Sequence, residues 1–264
     1  MNNRAALFLG GLLVWPLGVL AADSAPDAKQ IMAAVFRQTD GRDIFMRANF
    51  EVFDKTGHST KKYFSYGRIG RYGDSKTLLE FTDPQELRGV ALLSIKAQPD
   101  SQFLYVPATQ RVRTLQPGQS AARFVGTDFT FDDFAENRLE DFSYQLTGDT
   151  ALVDGRNTLK LVATPTDAAR SPFRAVYFWV ATDAPVVVRA TMLDAQGRAV
   201  RELHATQIMR EAGIWGARRL EMRSLLEGTR TVLNIREVHF NKRLDAKRFT
   251  PERLGSRFDD GVFP

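Results

Sequence analysis

The chain has 264 residues, a formal net charge of +5 and no cysteine. The lack of thiols excludes disulfides, thiolate metal sites and thiol nucleophiles, so an apolar core has to hold the fold. Acidic and basic residues are mixed along the chain without a basic block, which argues against a nucleic-acid partner. The small excess of Lys and Arg favours a weakly cationic surface, which suits peripheral contact with an anionic membrane.

Residues 1–21 have the pattern of a secretion signal. Arg4 supplies a positive charge, an almost wholly apolar run follows it, and small or aliphatic residues end at Ala21. The apolar run is interrupted by Pro16 and is shorter than the ~20 residues that a membrane-spanning helix needs. We therefore expect cleavage near Ala21 or Ala22 and export of the mature protein.

An N-terminal helix is predicted from Ser24 to Gln38. Ser24 can cap the helix, Pro26 suits its first turn, and Asp27 places a negative charge at the positive end of the helix dipole. Apolar residues then follow at helical spacing, which predicts that one narrow stripe of the helix packs against the rest of the protein.

From Met46 onward the period of the apolar residues changes to two, as in a strand with one wet face. Turn residues such as those at 54–57 separate short strands throughout 46–115 and again throughout 143–240. About twelve strands of this kind predict a mainly β protein, built as one large antiparallel sheet, a sandwich or a barrel. The mature chain is long enough for one large β domain or two smaller ones.

One connection, residues 116–139, departs from this pattern. It is too long for an ordinary hairpin, and it carries four phenylalanines although connections normally run over the wet surface. Thr130 and Asp133 form a capping-box pattern, after which Phe131 and Phe134 follow helical spacing. The rings therefore either plug the end of the sheet permanently or form a helical lid over a cavity that can open.

The sequence offers no catalytic constellation. His58, His204 and His239 are isolated and lack metal-ligand spacing, and no Gly-x-Ser-x-Gly motif supplies a serine nucleophile. The densest acidic cluster fits a solvated face at a helix N-terminus better than a calcium site or a carboxylate pair. This cluster includes Asp128, Asp132 and Asp133. We predict no catalytic residue, no metal and no cofactor, and we expect that the protein is not an enzyme.

Aromatic residues make up 11% of the chain, and Phe alone accounts for 19 residues. Such rings usually fill a core, but a large curved sheet closed by a short segment can also leave a cavity. Each buried CH₂ of a guest contributes about 0.8 kcal/mol, so one long acyl chain offers on the order of 10 kcal/mol before ordering costs. The residues alone leave both a filled core and an acyl-binding cavity open.

Two blocks of the sequence resemble a known family. The first block is Phe103-Leu104-Tyr105-Val106-Pro107-Ala108 with Arg111-Val112-Arg113, and the second is Gly126-Thr127-Asp128-Phe129-Thr130-Phe131-Asp132-Asp133. They are similar to the Leu-Tyr-Leu-Pro-Ala, Arg-Val-Arg and Gly-Ser-Asp-Phe-Thr-Tyr-Glu-Asp patterns of the LolA-like outer membrane lipoprotein-sorting proteins of Gram-negative bacteria. Weaker matches at 84–89 and 241–254 extend the resemblance over nearly the whole mature chain.

This resemblance implies a single LolA-like β domain, residues 22–264, folded as a half-open antiparallel β-barrel with a helical lid over a hydrophobic cavity. It also implies residence in the periplasm, a part in outer membrane biogenesis, and binding of the acyl chains of a lipid or lipoprotein. Members of this branch are often paired with inner-membrane exporters of the RND/MMPL type, which would hand over the cargo. In the family an arginine near the end of the second or third strand helps to hold the lid, and Arg68 or Arg71 lies in that neighbourhood.

The resulting hypothesis is a periplasmic carrier with a sheet-and-lid cavity. The residues predicted to line the cavity are Met46, Phe50, Val52, Phe64, Tyr66, Leu79, Phe81, Leu104 and Val106. The residues predicted to form the lid are Phe124, Phe129, Phe131 and Phe134. Two alternative hypotheses are a docking or accessory module of an exporter complex and an enzyme that acts on an envelope lipid or polysaccharide through the acidic cluster.

Overall fold

The computed structural model describes residues 27–39, 43–97, 100–116, 118–136, 138–168 and 171–256. The predicted secretion signal, its cleavage site, Ser24 and Pro26 lie outside the described residues. Within the described ranges the chain forms one α-helix, six short 3₁₀ turns and thirteen strands. The prediction of a mainly β protein is confirmed.

All thirteen strands join one antiparallel sheet with the order β6-β5-β4-β3-β2-β1-β13-β12-β11-β10-β9-β8-β7. The strand bounds are β1 Ile44–Phe53, β2 Ser59–Arg71, β3 Asp74–Asp83, β4 Ala91–Ile95, β5 Ser101–Val106, β6 Arg111–Thr114, β7 Phe142–Val153, β8 Arg156–Pro165, β9 Ala175–Ala181, β10 Val187–Leu193, β11 Ala199–Glu211, β12 Ile214–Ser224 and β13 Thr229–Phe240. Two meanders, β1 to β6 and β7 to β13, are joined where β1 pairs with β13.

The sheet is curved but open, with β6 and β7 as its two edges. Register shifts interrupt five of the strand pairs, for example between Arg47 and Ala48 and between Tyr63 and Phe64. Such bulges bend a strand and increase its twist, which curves a large sheet. Of the architectures left open by the sequence, the described strands form the single curved sheet of a half-open barrel and not a sandwich or a closed barrel.

The helix α1, Ala28–Phe36, is shorter than predicted. Its N-cap is Asp27, whose side chain accepts a hydrogen bond of 2.7 Å from the backbone N–H of Gln30. The prediction placed the cap at Ser24 and put Asp27 in the first turn of the helix. It is wrong, because the helix begins where the Asp27 carboxylate binds a free backbone N–H group.

Alternating side chains give the sheet two apolar faces. The inner face carries Phe50 and Phe64, and it is covered by α1 and by the connection between the sheet edges. Met32 of α1 is fully buried against Leu161 and Val180 of this face. The predicted apolar stripe of the helix therefore packs on the inner face.

The outer face is covered by the C-terminal segment, residues 241–256. Phe249 and Leu254 of this segment pack with Phe45, Leu78 and other outer-face residues in a second hydrophobic cluster. Both faces of this half of the sheet therefore carry buried apolar side chains, which explains why β4 is apolar on both sides.

The connection between β6 and β7 runs from one edge of the sheet to the other, so it has to be long. We call residues 118–136 the Phe segment. Its capping box is confirmed, because the backbone N–H of Thr130 donates to Asp133 Oδ2 at 2.7 Å. The predicted helical lid is wrong in extent: only a 3₁₀ turn, Phe131–Phe134, follows the cap, since Ala135 returns to extended backbone with φ −88° and ψ 147°.

Candidate functional site

The nine residues predicted to line a cavity share the inner face of β1, β2, β3 and β5. Cross-strand partners lie on the same face, and Tyr66 pairs with Met46 on one side and with Leu79 on the other. Seven of the nine belong to one hydrophobic cluster with all four rings of the Phe segment, whereas Met46 and Val106 lie outside that cluster. The fold thus brings the predicted floor and the predicted lid together, and their role in binding stays a prediction.

The four rings of the Phe segment insert into the floor. Phe50 of β1 stacks on Phe64 with ring centroids 4.6 Å apart. Phe129 and Phe134 approach the same Phe50 ring to 5.5 Å and 6.0 Å. Phe124 lies 5.6 Å from Phe81. Ring pairs at these separations stabilise the contact by about 0.5–1.5 kcal/mol beyond the burial of their area.

The inner face is therefore filled beneath the Phe segment in this conformation. The rings of the segment pack against the residues predicted to line the cavity, and the lidded cavity itself stays a prediction. A cavity of about 20 Å³ lies near the end of the segment, between β3, β4 and β5. That volume admits one water molecule. An acyl chain has access to the floor only if the Phe segment moves.

The second half of the chain supplies the other wall of the inner face, which the sequence analysis missed. The buried members of this wall are Val176, Ala190, Met192 and Met222. Leu203 and Leu233 pack against them. The period-two spacing of Leu203 and Ala205, and of Leu233 and Ile235, indicated an apolar face on these strands. The prediction of the cavity lining used only the first half of the chain, which is richer in aromatic residues.

A buried carboxylate anchors the Phe segment to the sheet. The Asp128 side chain is 1% exposed and lies 2.9 Å from Arg123 Nη2. It also accepts hydrogen bonds from the hydroxyls of Thr229, at 2.5 Å, and Thr231, at 2.7 Å. The backbone N–H of Asp128 donates back to Thr231 Oγ1 at 2.9 Å. The interpretation of Asp128 as part of a solvated face is therefore wrong.

The other two acidic residues lie at the edge of the same segment. Asp133 forms an ion pair with Arg201 of β11, whose guanidinium also donates to the backbone oxygen of Asp128 at 3.0 Å. Burial raises the pKa of the Asp132 carboxyl, and a hydrogen bond from Ser120 opposes the rise. These contacts tie the segment to the sheet, which gives the acidic cluster a structural explanation.

Arg68 is the one of the two predicted arginines that contacts the segment. Its side chain is 7% exposed, and Nη2 lies 2.7 Å from Glu136 Oε1. The second oxygen of Glu136 accepts a hydrogen bond of 2.8 Å from the backbone N–H of Gly73. Arg71 is exposed at the end of β2. Arg68 thus has the geometry of a lid-holding residue, and that role stays a prediction.

Three further side chains hold backbone carbonyls of the segment. Lys62 Nζ donates to Val125 at 2.6 Å, Thr77 Oγ1 to Phe134 at 3.2 Å, and Gln102 Nε2 to Phe131 at 2.9 Å. Side chains from β2, β3 and β5 therefore hold the middle and the C-terminal end of the segment, while its rings pack on the apolar floor.

Within the described ranges, no three His, Asp or Glu side chains are grouped so that they could hold a metal ion. In the same ranges, no helix has the length and apolarity to cross a membrane. His204 Nε2 lies 2.7 Å from Asp154 Oδ2, and His58 is exposed in the turn that joins β1 and β2. The histidines are therefore separate in space as they are in sequence.

A family model described as "Uncharacterized protein" matches residues 73–256, more than half of the chain. No curated protein matches the chain. Among solved structures, a domain described as an outer membrane lipoprotein-sorting protein from Vibrio parahaemolyticus is 20% identical with a TM-score of 0.80, covering 86% of this chain and 98% of that one.

Two further structures are similar. A DUF1329 family protein from Desulfovibrio piger is 21% identical with a TM-score of 0.80, covering 86% of this chain and 97% of that one. A LolA superfamily protein from Nitrosomonas europaea is 19% identical with a TM-score of 0.68, and the match covers 87% of this chain and 100% of that one. Identities this low establish the fold. The chain belongs to the family whose model it matches, and its fold is that of the LolA-like proteins.

Proposed function

We propose that the protein is a periplasmic carrier that binds the acyl chains of a lipid or lipoprotein on the inner face after the Phe segment moves aside. The observation that carries the proposal is the construction of this segment. Its four rings cover an apolar floor built by both halves of the sheet, while its edges are held by ion pairs and hydrogen bonds. Displacing the segment leaves an apolar surface that an acyl chain can cover.

The energies of the two occupants are similar. Burial of one Phe ring contributes about 1.5–3 kcal/mol, so four rings contribute roughly 6–12 kcal/mol. An acyl chain of about fourteen carbons contributes on the order of 10 kcal/mol by the same measure. A guest can therefore replace the rings at little net change in burial, which is what a reversible carrier needs.

The test is lipid binding by the protein from its own host. Native mass spectrometry and lipid extraction should reveal a bound acyl ligand, and a fluorescent fatty acid should bind the delipidated protein. Phe134→Ala removes one competing ring and should raise the affinity roughly tenfold, since about 1.5 kcal/mol of competing burial is lost.

Phe249→Ala is the control, because this ring also packs in a hydrophobic cluster but lies on the outer face. It should lower stability and leave the affinity unchanged. A ligand-free protein that binds no fatty acid, with or without the Phe134 ring, contradicts the carrier.

Export and the exporter are part of the same proposal. The pattern of residues 1–21 supports a cleaved signal, and N-terminal sequencing of the mature protein should start at Ala22 or Asp23. The resemblance alone supports a partner of the RND/MMPL type. Crosslinking in the host followed by affinity capture should recover such a transporter, and repeated recovery of none argues against that partner.

A docking or accessory module of an exporter complex is the second candidate. The filled inner face favours it, because rings packed this closely can also serve as a permanent core. In that case no acyl ligand binds, and capture of the exporter survives the change of Phe131 and Phe134 to Ser.

A further inference from the structure

The inner face is not apolar throughout. One row of cross-strand partners on β2, β3, β4 and β5 is polar, and we call it the polar row. It consists of Arg68, Thr77, Ser94 and Gln102, each paired with the next across the sheet. The adjacent row, two residues away along each strand, is the apolar row Tyr66, Leu79, Leu92 and Leu104. A surface with one polar edge and an apolar remainder matches the shape of an amphiphile.

The polar row presents hydrogen-bond donors, and the Phe segment supplies the acceptors. Thr77 and Gln102 donate to carbonyl oxygens of the segment at 3.2 Å and 2.9 Å. Arg68 Nη2 and the backbone N–H of Gly73 hold the two oxygens of the Glu136 carboxylate at 2.7 Å and 2.8 Å. Glu136 therefore sits where the anionic group of a ligand would be bound.

The same end of the face holds further polar groups that are out of contact with solvent. Ser75 lines the cavity of about 20 Å³ together with Glu136 and is 1% exposed. Its hydroxyl is buried and has no hydrogen-bond partner among the residues that the structure describes. Lys96 lines the same cavity, is 7% exposed and pairs with Asp100 at 2.7 Å. The lining of this cavity by Ser75, Lys96 and Glu136 shows that this end of the face is polar as well as buried.

We infer that the polar row and the Gly73 N–H form a headgroup site for an anionic amphiphile, and that Glu136 occupies this site while the Phe segment is closed. The ligand class is an acyl lipid whose headgroup carries a phosphate or carboxylate. Its anion replaces Glu136 at Arg68 as its chain replaces the Phe rings on the floor. This inference rests on the proposed carrier function and adds the chemistry of the cargo.

The test compares two lipids with the same acyl chain, an anionic lysophosphatidylglycerol and a neutral monoacylglycerol, by calorimetry on the delipidated mature protein. The wild type should bind the anionic lipid about tenfold more tightly, the effect of one charge-assisted contact. Arg68→Gln should abolish this preference, so that the ratio of the two affinities falls to about one; the ratio is the readout, because the change also releases Glu136 and so alters the binding of both lipids. Glu136→Gln removes the competing charge and should tighten the anionic lipid several-fold, through one charged contact.

The controls use an Arg–Glu pair on the other face of the sheet. Arg189 Nε donates to Glu202 Oε2 at 3.0 Å, and these two side chains belong to β10 and β11. Arg189→Gln and Glu202→Gln should leave both affinities unchanged. Arg68→Lys, which keeps the charge and should keep part of the preference, replaces Arg68→Gln if that variant does not fold.

Four outcomes overturn the inference. Equal affinity for the two lipids in the wild type removes the headgroup site and leaves the carrier intact. A preference that survives Arg68→Gln places the anion elsewhere. Inorganic phosphate that binds as tightly as the anionic lipid, with the same dependence on Arg68, identifies a free-anion site. No binding of either lipid contradicts the carrier as well.

Discussion

At the scale of single residues, Asp128 shows how a local pattern can mislead. In the sequence it stands in an acidic cluster near a predicted helix start, which favours a solvated charge. In the structure its carboxylate is buried and bound by Arg123, Thr229 and Thr231. The two threonines belong to β13 and lie about a hundred residues away, so no local pattern could reveal them.

We expect Asp128→Asn to destabilise the protein by about 2 kcal/mol, because the buried Arg123 contact and the two hydroxyl donors lose their charged acceptor. Urea unfolding of the mature protein measures this change. Glu237→Gln is the control, since Glu237 and its partner Arg47 have side chains that are 49% and 45% exposed. Such a surface pair contributes within about 0.5 kcal/mol. Equal effects of the two changes would show that Asp128 is no anchor.

At the scale of elements, the sheet has two coverings with different chemistry. The Phe segment on the inner face combines buried rings with charged anchors at its edges. The C-terminal segment on the outer face is held by Phe249 and Leu254 and by a close approach of Gly255 to Tyr105. At its start, the Asp43 carboxylate accepts hydrogen bonds from the backbone N–H groups of Lys242 and Leu244. The Phe segment differs in its charged side-chain pairs with the sheet, Arg68–Glu136 and Arg201–Asp133.

Gly255→Ala should detach the end of the C-terminal segment. A Cβ at Gly255 would lie 2.8 Å from the Tyr105 ring, and the residue has φ +93°. Gly57 in the β1–β2 turn has φ +88° but no atom within 4 Å of its Cβ position. Gly57→Ala should cost about 1 kcal/mol for the backbone alone, and Gly255→Ala roughly twice that, because the clash adds to it. Thermal unfolding compares the two, and equal losses would mean that the tyrosine contact is unimportant.

At the scale of the whole molecule, the order of the strands decides where the Phe segment lies. Because β1 pairs with β13, the chain places β6 and β7 at opposite edges of the sheet. The connection between β6 and β7 must then cross one face of the sheet. It crosses the inner face, because its rings pack on the apolar residues there. A segment that crosses the face without joining a strand pair depends on side chains for most of its stability.

Hydrogen exchange should therefore separate the Phe segment from the sheet. The amide of Phe124, bonded to the oxygen of Phe129 at 2.7 Å, should exchange much faster than that of Phe50 in the central strand β1. Binding of a fatty acid should change exchange in the segment and leave β1 unaffected. If the segment is as protected as β1, it is a permanent core element, which favours the docking module over the carrier.

Much of the architecture followed from local patterns. Alternation identified the strands and assigned Phe50, Phe64 and Phe81 to one face, and the capping pattern at Thr130 located the turn of the Phe segment. The resemblance to the LolA-like family supplied the curved sheet and directed attention to Arg68. Alternation also marked the apolar side of β11 and β13, but it could not show that this side faces the same floor, and it could not reveal the Asp128 anchor, because these contacts join distant parts of the chain.

The sequence by itself determined the strand periods, the turns and the presence of rings in a connection, because each depends on neighbouring residues. Only the tertiary structure decided that β1 meets β13, that the rings fill the inner face, and that Glu136 lies against Arg68. These three features depend on which strands pair across the whole chain. Strand pairing is set by the burial of both faces of one large sheet, and no short stretch of residues determines that burial.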